Sequence, residues 1–210
     1  MPHFLLAGTR RGVVVLERDG DRWLATDHSL QNRRVESLST QGNTILAGTT
    51  DGLYRSDDLG ETWATVNTGL TEPHIRRLSH HPDLSGLVLA GTEPAAIFVS
   101  RDGGQTWREC PEVAALRDEY GWYLPYSPRA GCVRGFAFHG QRVYAAVEVG
   151  GLLRSDDAGE TWRLVKGSSG QPRTSPEGEV HPDVHSVTLH SSSQELVLAP
   201  TGGGFYRSED

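Results

Sequence analysis

One eight-residue pattern recurs along this chain and limits its fold more than any other feature. Residues 56–63 read SDDLGETW, residues 100–107 SRDGGQTW and residues 155–162 SDDAGETW, all of the form S-x-D-x-G-x-T-W. The last residues, Ser208, Glu209 and Asp210, open a further copy. LERDGDRW at 16–23 is a degraded one, keeping Gly20 and Trp23 but with Leu16 and Arg18 where Ser and Asp belong. Three full matches in phase mean that one supersecondary unit is repeated, and the repeat sets the architecture.

Two short apolar strands around a turn precede each copy: LLAGTRRGVVVL (5–16), ILAGTTDGLYR (45–55), VLAGTEPAAIFV (88–99), VYAAVEVGGLLR (143–154) and LAPTGGGFYR (198–207). Further upstream lies another strand: VESLS (35–39), IRRLSHH (75–81), VRGFAFH (133–139) and VHSVTLH (184–190). The motif serines Ser56, Ser100, Ser155 and Ser208 are 44, 55 and 53 residues apart. That is at or above the ~40–50 residues of a four-stranded propeller blade. Each module reads as strands A, B, C and D, with D beginning at the T-W, and no segment has helical periodicity. The expectation is an all-β propeller of four-stranded antiparallel blades over about residues 2–26, 33–66, 74–110, 132–166 and 183–210. Radial repetition keeps each strand edge short or covered.

Composition narrows the function. Twenty Lys and Arg against 27 Asp and Glu give a net charge of −7. That balance argues against nucleic acid, which needs a basic face. No apolar stretch approaches the ~20 residues of a membrane-spanning helix. The start has no basic segment before its short apolar run, so no export signal is expected and the chain is placed in the cytoplasm. Cys110 would end an outermost strand D and Cys132 begin an innermost strand A, three ladder spacings of ~4.8 Å apart. A disulfide spans ~5.5 Å between Cα atoms, so two reduced thiols are expected.

The S-x-D-x-G-x-T-W motif resembles the Asp box, or BNR repeat, of sialidase-like and sortilin-like β-propellers. The family also includes xyloglucanases, a photosystem II assembly factor and many BNR-like bacterial proteins. The resemblance covers nearly the whole chain through Ser56, Asp58, Gly60, Thr62 and Trp63, then Ser100, Asp102, Gly104, Thr106 and Trp107, then Ser155, Asp157, Gly159, Thr161 and Trp162. These residues are expected to be structural. The Asp accepts hydrogen bonds within its own C–D turn, the Gly takes a positive φ, and the Trp buries its ring. The missing twelfth-position Glu excludes an EF-hand. Such propellers need six or more blades, six to eight here, so the chain reads as four and a half blades of a protein of ~300–370 residues. If it is naturally truncated, oligomerisation would cover the open blade faces.

With the boxes at the C–D turns, the B–C turns and D–A crossings form the opposite face, where the resemblance places binding sites. Counting back from the box serine puts Glu148 where Thr9, Thr49 and Thr201 stand, a single carboxylate among turn threonines. Glu148 with Asp118, Glu119 or Asp183 is the candidate catalytic group for a glycoside hydrolase, which needs two carboxylates ~5–9.5 Å apart. The second residues of strand A, Glu36, Arg76, Arg134 and His185, are expected to ring the inner mouth. Arg33, Arg34, His74 and Asp183 lie just before them. Such a ring suits an anion or a carboxylated sugar. The crossing 111–131 adds Trp122, Tyr123 and Arg129 as sugar-stacking or protein-binding residues, or as aromatics that fold the crossing onto the blades. HPDVH (181–185) invites a metal reading, but a turn entering a strand explains it better, and no metal or cofactor is expected.

Three functions compete: a binding scaffold for a carbohydrate or protein ligand, a glycoside hydrolase, and an assembly factor for a protein complex. The F/Y-R-I-P segment that carries the first sialidase arginine is absent, and HFLLAGTRRG stands in that region. The sialidase residues are therefore not transferred, and the scaffold is favoured.

Overall fold

The structure is a computed structural model that describes residues 4–124, 131–171, 179–190 and 193–208. It contains five antiparallel sheets in chain order. The first holds β1 (Phe4–Thr9), β2 (Gly12–Asp19) and β3 (Arg22–Ser29). The second holds β4 (Val35–Gln41), β5 (Thr44–Thr49), β6 (Gly52–Ser56) and β7 (Ala64–Thr65). The third holds β8 (Ile75–His80), β9 (Val88–Thr92), β10 (Ile97–Ser100) and β11 (Arg108–Glu109), and helix α1 (Pro111–Tyr120) follows it. The fourth holds β12 (Cys132–His139), β13 (Arg142–Glu148), β14 (Gly151–Ser155) and β15 (Arg163–Leu164). The fifth holds β16 (Thr188–His190), β17 (Ser193–Thr201) and β18 (Gly204–Ser208). In each sheet the strands lie side by side in sequence order, and the inner strands β1, β4, β8, β12 and β16 pack one on the next. The architecture is an all-β, open propeller.

The boxes build the C–D hairpins. In the second of them Ser100 Oγ donates to Asp102 Oδ1 at 2.7 Å and accepts from Gly104 N at 2.8 Å. Asp102 also accepts from Gln105 N, Thr106 N and the Thr106 hydroxyl. The boxes at Ser56 and Ser155 repeat the serine, aspartate and threonine bonds. Trp107 and Trp162 are buried, and the Trp107 indole donates to Val66 O of the preceding sheet.

Apolar clusters join the sheets. Leu46, Leu53, Ile75, Val88 and Phe98 fill the space between the second and third, and Leu89, Ile97, Val133, Val143 and Leu153 that between the third and fourth. The first interface is thinner: among the described residues its buried apolar cluster is Val13, Val35 and Ala47.

Helix α1 departs from the sequence expectation. Its signals are local: Pro111 in the first turn, the helix formers Ala114, Ala115, Leu116 and Arg117, and Gly121 closing it at φ 61°. Only Val113 is buried, with Leu116 and Tyr120 packed partly beside it, so a ten-residue stretch carries little amphipathic signal. Cys110 and Cys132 are free, buried thiols, each pushed up to about 12, mainly by burial.

Candidate functional site

The inner rim opposite the boxes is built by three backbone positions that recur in successive sheets. At the entry to strand A stand Arg34, His74, Cys132 and Asp183 in turn, Cys132 already being the first residue of β12. The second strand-A residue is Glu36, Arg76, Arg134 and His185. The first B–C turn residue is Thr50, Glu93, Glu148 and Gly202. The first and third positions are tied through the backbone: Thr50 N donates to Arg34 O, Glu93 N to His74 O and Gly202 N to Asp183 O, while Cys132 pairs with Glu148.

The aim of the second position comes from a β-bulge. The ladder slips between Val35 and Ser37, between Ile75 and Arg77, and between Val133 and Gly135. Glu36, Arg76 and Arg134 are the extra residues. A bulge re-aims its side chain and sharpens the local twist. Simple alternation does not reveal it.

The register corrects the reading of Glu148 as a substituted threonine. Thr49 pairs with Gly52 across a two-residue turn, whereas Val147 pairs with Gly151 across three residues. Val147 therefore holds the threonine place, and Glu148 is an added residue. The third sheet does the same: Thr92 takes the threonine role, bonding Ala96 N, and Glu93 is added. Where the turn is short, the threonine hydroxyl closes it, donating to Gly12, Gly52 or Gly204 carbonyls at 2.8–2.9 Å. Glu93 stands seven residues before Ser100, as Glu148 stands seven before Ser155, so Glu148 is one of two rim carboxylates and not a single one among the repeats. The sequence signal is that same spacing, applied to the third copy as well.

These positions form two ionic groups, with the Cys132 thiol lying between them beside Arg76 and Glu148. Glu36 is bonded by Arg76, with Arg34 Nε at 2.7 Å and His74 Nε2 at 3.5 Å. Arg76 Nε lies 3.6 Å from Glu93. Glu148 accepts from Cys132 Sγ at 3.4 Å and lies 3.1 Å from Arg134. Burial acts to lower the pKa of Arg76, but Cys132, Glu36 and Glu93 outweigh it and raise it. Arg76 is 16% exposed and Arg134 36%, so Arg76 is committed inward while Arg134 keeps a solvent face. His185 Nε2 meets Asp183 Oδ1 at 3.2 Å, and Arg33 pairs with Asp51. A shallow hollow of about 270 Å³ between the first and second sheets is lined by Thr9, Arg10, Arg34 and Glu36.

The other expected residues lie apart from these groups. Trp122 corrects the stacking expectation: it is 2% exposed, its indole donates to Gly170 O, and it packs in the core beneath the turns. Tyr123 follows it, half-buried, and Arg129 lies outside the described residues. Asp118 and Glu119 are exposed on α1, Asp118 paired with Arg117, whereas Glu148 is buried. The metal reading of 181–185 meets a parallel. His181 Nδ1 accepts from Asp183 N at 3.2 Å, and the same tripeptide at 81–83 repeats the bond at 3.1 Å as a turn. Among the described residues no group of three His, Cys, Asp or Glu is placed to hold a metal. Among the described residues no helix is long and apolar enough to cross a membrane.

Comparison with known proteins adds the following. The family model described as BNR/Asp-box repeat matches residues 98–109. No curated protein matches the sequence. Among solved structures, the chain is similar to the extracellular domain of the hybrid two component system BT4673 from B. thetaiotaomicron, with TM-score 0.68, 18% identity, and 99% of this chain and 25% of that one covered. It is similar to an ancestral GH74 enzyme, with TM-score 0.62, 18% identity, and 83% and 22% covered. It is also similar to YCF48 bound to D1 peptide, with TM-score 0.54, 15% identity, and 99% and 64% covered. The chain thus spans about a quarter or less of the first two and 64% of the third. At these identities the likeness is one of fold. Sheet order, the repeated hairpin geometry and these neighbours make the chain a β-propeller built on BNR/Asp-box repeats.

Proposed function

We propose that this propeller is a binding scaffold that takes the carboxylate of a carbohydrate or protein ligand at the inner rim, on the face opposite the boxes. The observation that carries the reading is the setting of Arg134. A bulge aims it at the rim, Glu148 steadies it at 3.1 Å, and 36% of its side chain stays open. A guanidinium has five donors in a planar fork, so one held edge leaves others for a bidentate carboxylate. On the same face, Arg10 and Arg34 line the hollow between the first and second sheets and add cationic groups there. Titration with a uronic-acid trisaccharide and with a Glu-rich peptide tests this. One of them binds the 210-residue chain, and Arg134→Ala abolishes that binding. Binding of neither, or unchanged binding by the variant, contradicts it.

A hydrolase reading is favoured by one observation: Glu93 and Glu148 occupy the same added turn position in neighbouring sheets, both buried at the rim. The GH74 fold neighbour supports it at the level of architecture. A glycoside screen followed by Glu148→Gln decides it, since unchanged turnover removes Glu148 from any mechanism. An assembly role would use α1, which lies on the B–C side, with Arg117 donating to Ala95 O. Because Val113 and Trp122 are core residues, deleting the crossing would damage the fold. Asp118→Lys with Glu119→Lys is the proper test, and retained partner capture excludes the helix.

A further inference from the structure

A second hollow lies at the box end, between the first and second sheets. At the next two interfaces a strand-B leucine seats on the box glycine of the following sheet. A Cβ on Gly104 would stand 2.6 Å from Leu46 Cδ1, and one on Gly159 2.8 Å from Leu89 Cδ2. Leu6 holds the corresponding place in β1. Yet the space beside Gly60 is met within 4 Å only by Ile45 and Trp63 of its own sheet.

A cleft of about 470 Å³ opens where that contact is missing. Phe4, Leu6, Val15, Ile45 and Leu59 form its apolar surface, and Phe4 and Leu59 are 49% and 50% exposed. Glu17, Asp27, Asp58 and Glu61 stand around them, and no Lys, Arg or His lines the cleft. Asp58 is engaged by its own box, and among the described residues none of the four carboxylates has an ion-pair partner. The lining runs from Thr26 on β3, across β2 and β1, to Thr40 and Gly42 at the end of β4. A trough crossing several strands exceeds the reach of one side chain and lies in the size range of specific binding sites. Its apolar floor calls for apolar contact, and its uncompensated carboxylates call for a cation.

We propose that this cleft docks a short protein segment in which lysine or arginine alternates with large apolar side chains. The apolar groups would take the place against Gly60 that Leu6 leaves open, and the cations would meet Glu17, Asp27 and Glu61. The site is separate from the rim.

The probe is a fluorescent, end-capped peptide of alternating Leu and Lys, with alternating Leu and Glu as its control. Saturable binding of the Lys peptide is expected at low salt, weakening as salt is raised. The triple variant Glu17→Lys, Asp27→Lys, Glu61→Lys changes only exposed side chains and is expected to lower affinity about tenfold or more. Leu59→Ser, also at an exposed site, provides an independent variant expected to weaken binding. Arg134→Ala should leave this binding unchanged, which separates its failure from failure of the rim reading. Equal binding of the Glu peptide, unchanged binding by the triple variant, or no saturable binding overturns the proposal. So does a concentration-dependent dimer that protects Leu59, which would assign the cleft to a second copy of the chain.

Discussion

Leu46 occupies the space that a side chain on Gly104 would need, with a Cβ there falling 2.6 Å from its Cδ1. Gly104 is at φ 89°, a left-handed conformation that costs any other residue. The box is therefore both a turn and a socket. Gly104→Ala is expected to destabilise the fold by about 2–4 kcal/mol, from overpacking and backbone strain together. Urea unfolding measures it. A loss below about 1 kcal/mol would mean that neither effect operates.

The boxes should also set the acid limit of stability. Hydrogen bonds, first from the Thr62 hydroxyl, lower Asp58 to about 2. For Asp102 and Asp157 burial acts upward, but the bonds from Thr106 and Thr161 outweigh it and hold both below the usual value. The unfolded chain titrates these groups near about 3.9, so it binds more protons in the window between. Their contribution is complete above about pH 4 and is lost as pH falls toward about 2. Urea midpoints across that window should decline, and Asp102→Asn should flatten the decline. Equal slopes in the two proteins would contradict this.

Two rim arginines should differ sharply. Removing Arg76 leaves Glu36 and Glu93, side chains 10% and 9% exposed, without the cation they share. A cost of about 3 kcal/mol is expected for Arg76→Ala, as for one partner of a buried pair. Arg134 is more open and bonded to Glu148, so Arg134→Ala should cost about 1 kcal/mol or less. Thermal unfolding of both variants checks the order. A reversed order would mean that Glu36 and Glu93 are not held by Arg76.

His81 ties two neighbouring sheets at the other end. Its Nε2 lies 2.7 Å from Gly140 O, and its Nδ1 accepts from Asp83 N and Leu84 N. The ring is wholly buried beside Phe138. His81→Leu leaves three polar backbone groups unpaired and should cost about 2–4 kcal/mol. A neutral result would show that solvent replaces these bonds.

The boxes were legible because their chemistry is local. Ser100, Asp102, Gly104 and Thr106 satisfy one another within seven residues, so type and spacing alone define the hairpin. The ring of Glu36, Arg76 and Arg134 was legible as polar residues in apolar strands, but the bulge that aims them was not. A bulge changes the partner, and only pairing reveals it. Glu148 was misread for a related reason: a serial count cannot see which of two turns is longer. Trp122 was ambiguous because an aromatic in a crossing looks the same whether it faces a ligand or the core. Here Gly150 and Gly170 decide it, the first leaving room for the ring and the second accepting its N–H.

The rim is the centre of this account, and nitrogen-resolved NMR of the 210-residue chain tests it most directly. On titration with a uronic-acid trisaccharide or a Glu-rich peptide, the Arg134 and Arg34 side-chain resonances and the amides of Thr50, Glu93 and Glu148 should move together. The amides of Thr62, Thr106 and Thr161 should stay fixed. Movement confined to those box threonines, or no movement at the rim with either ligand, would contradict it.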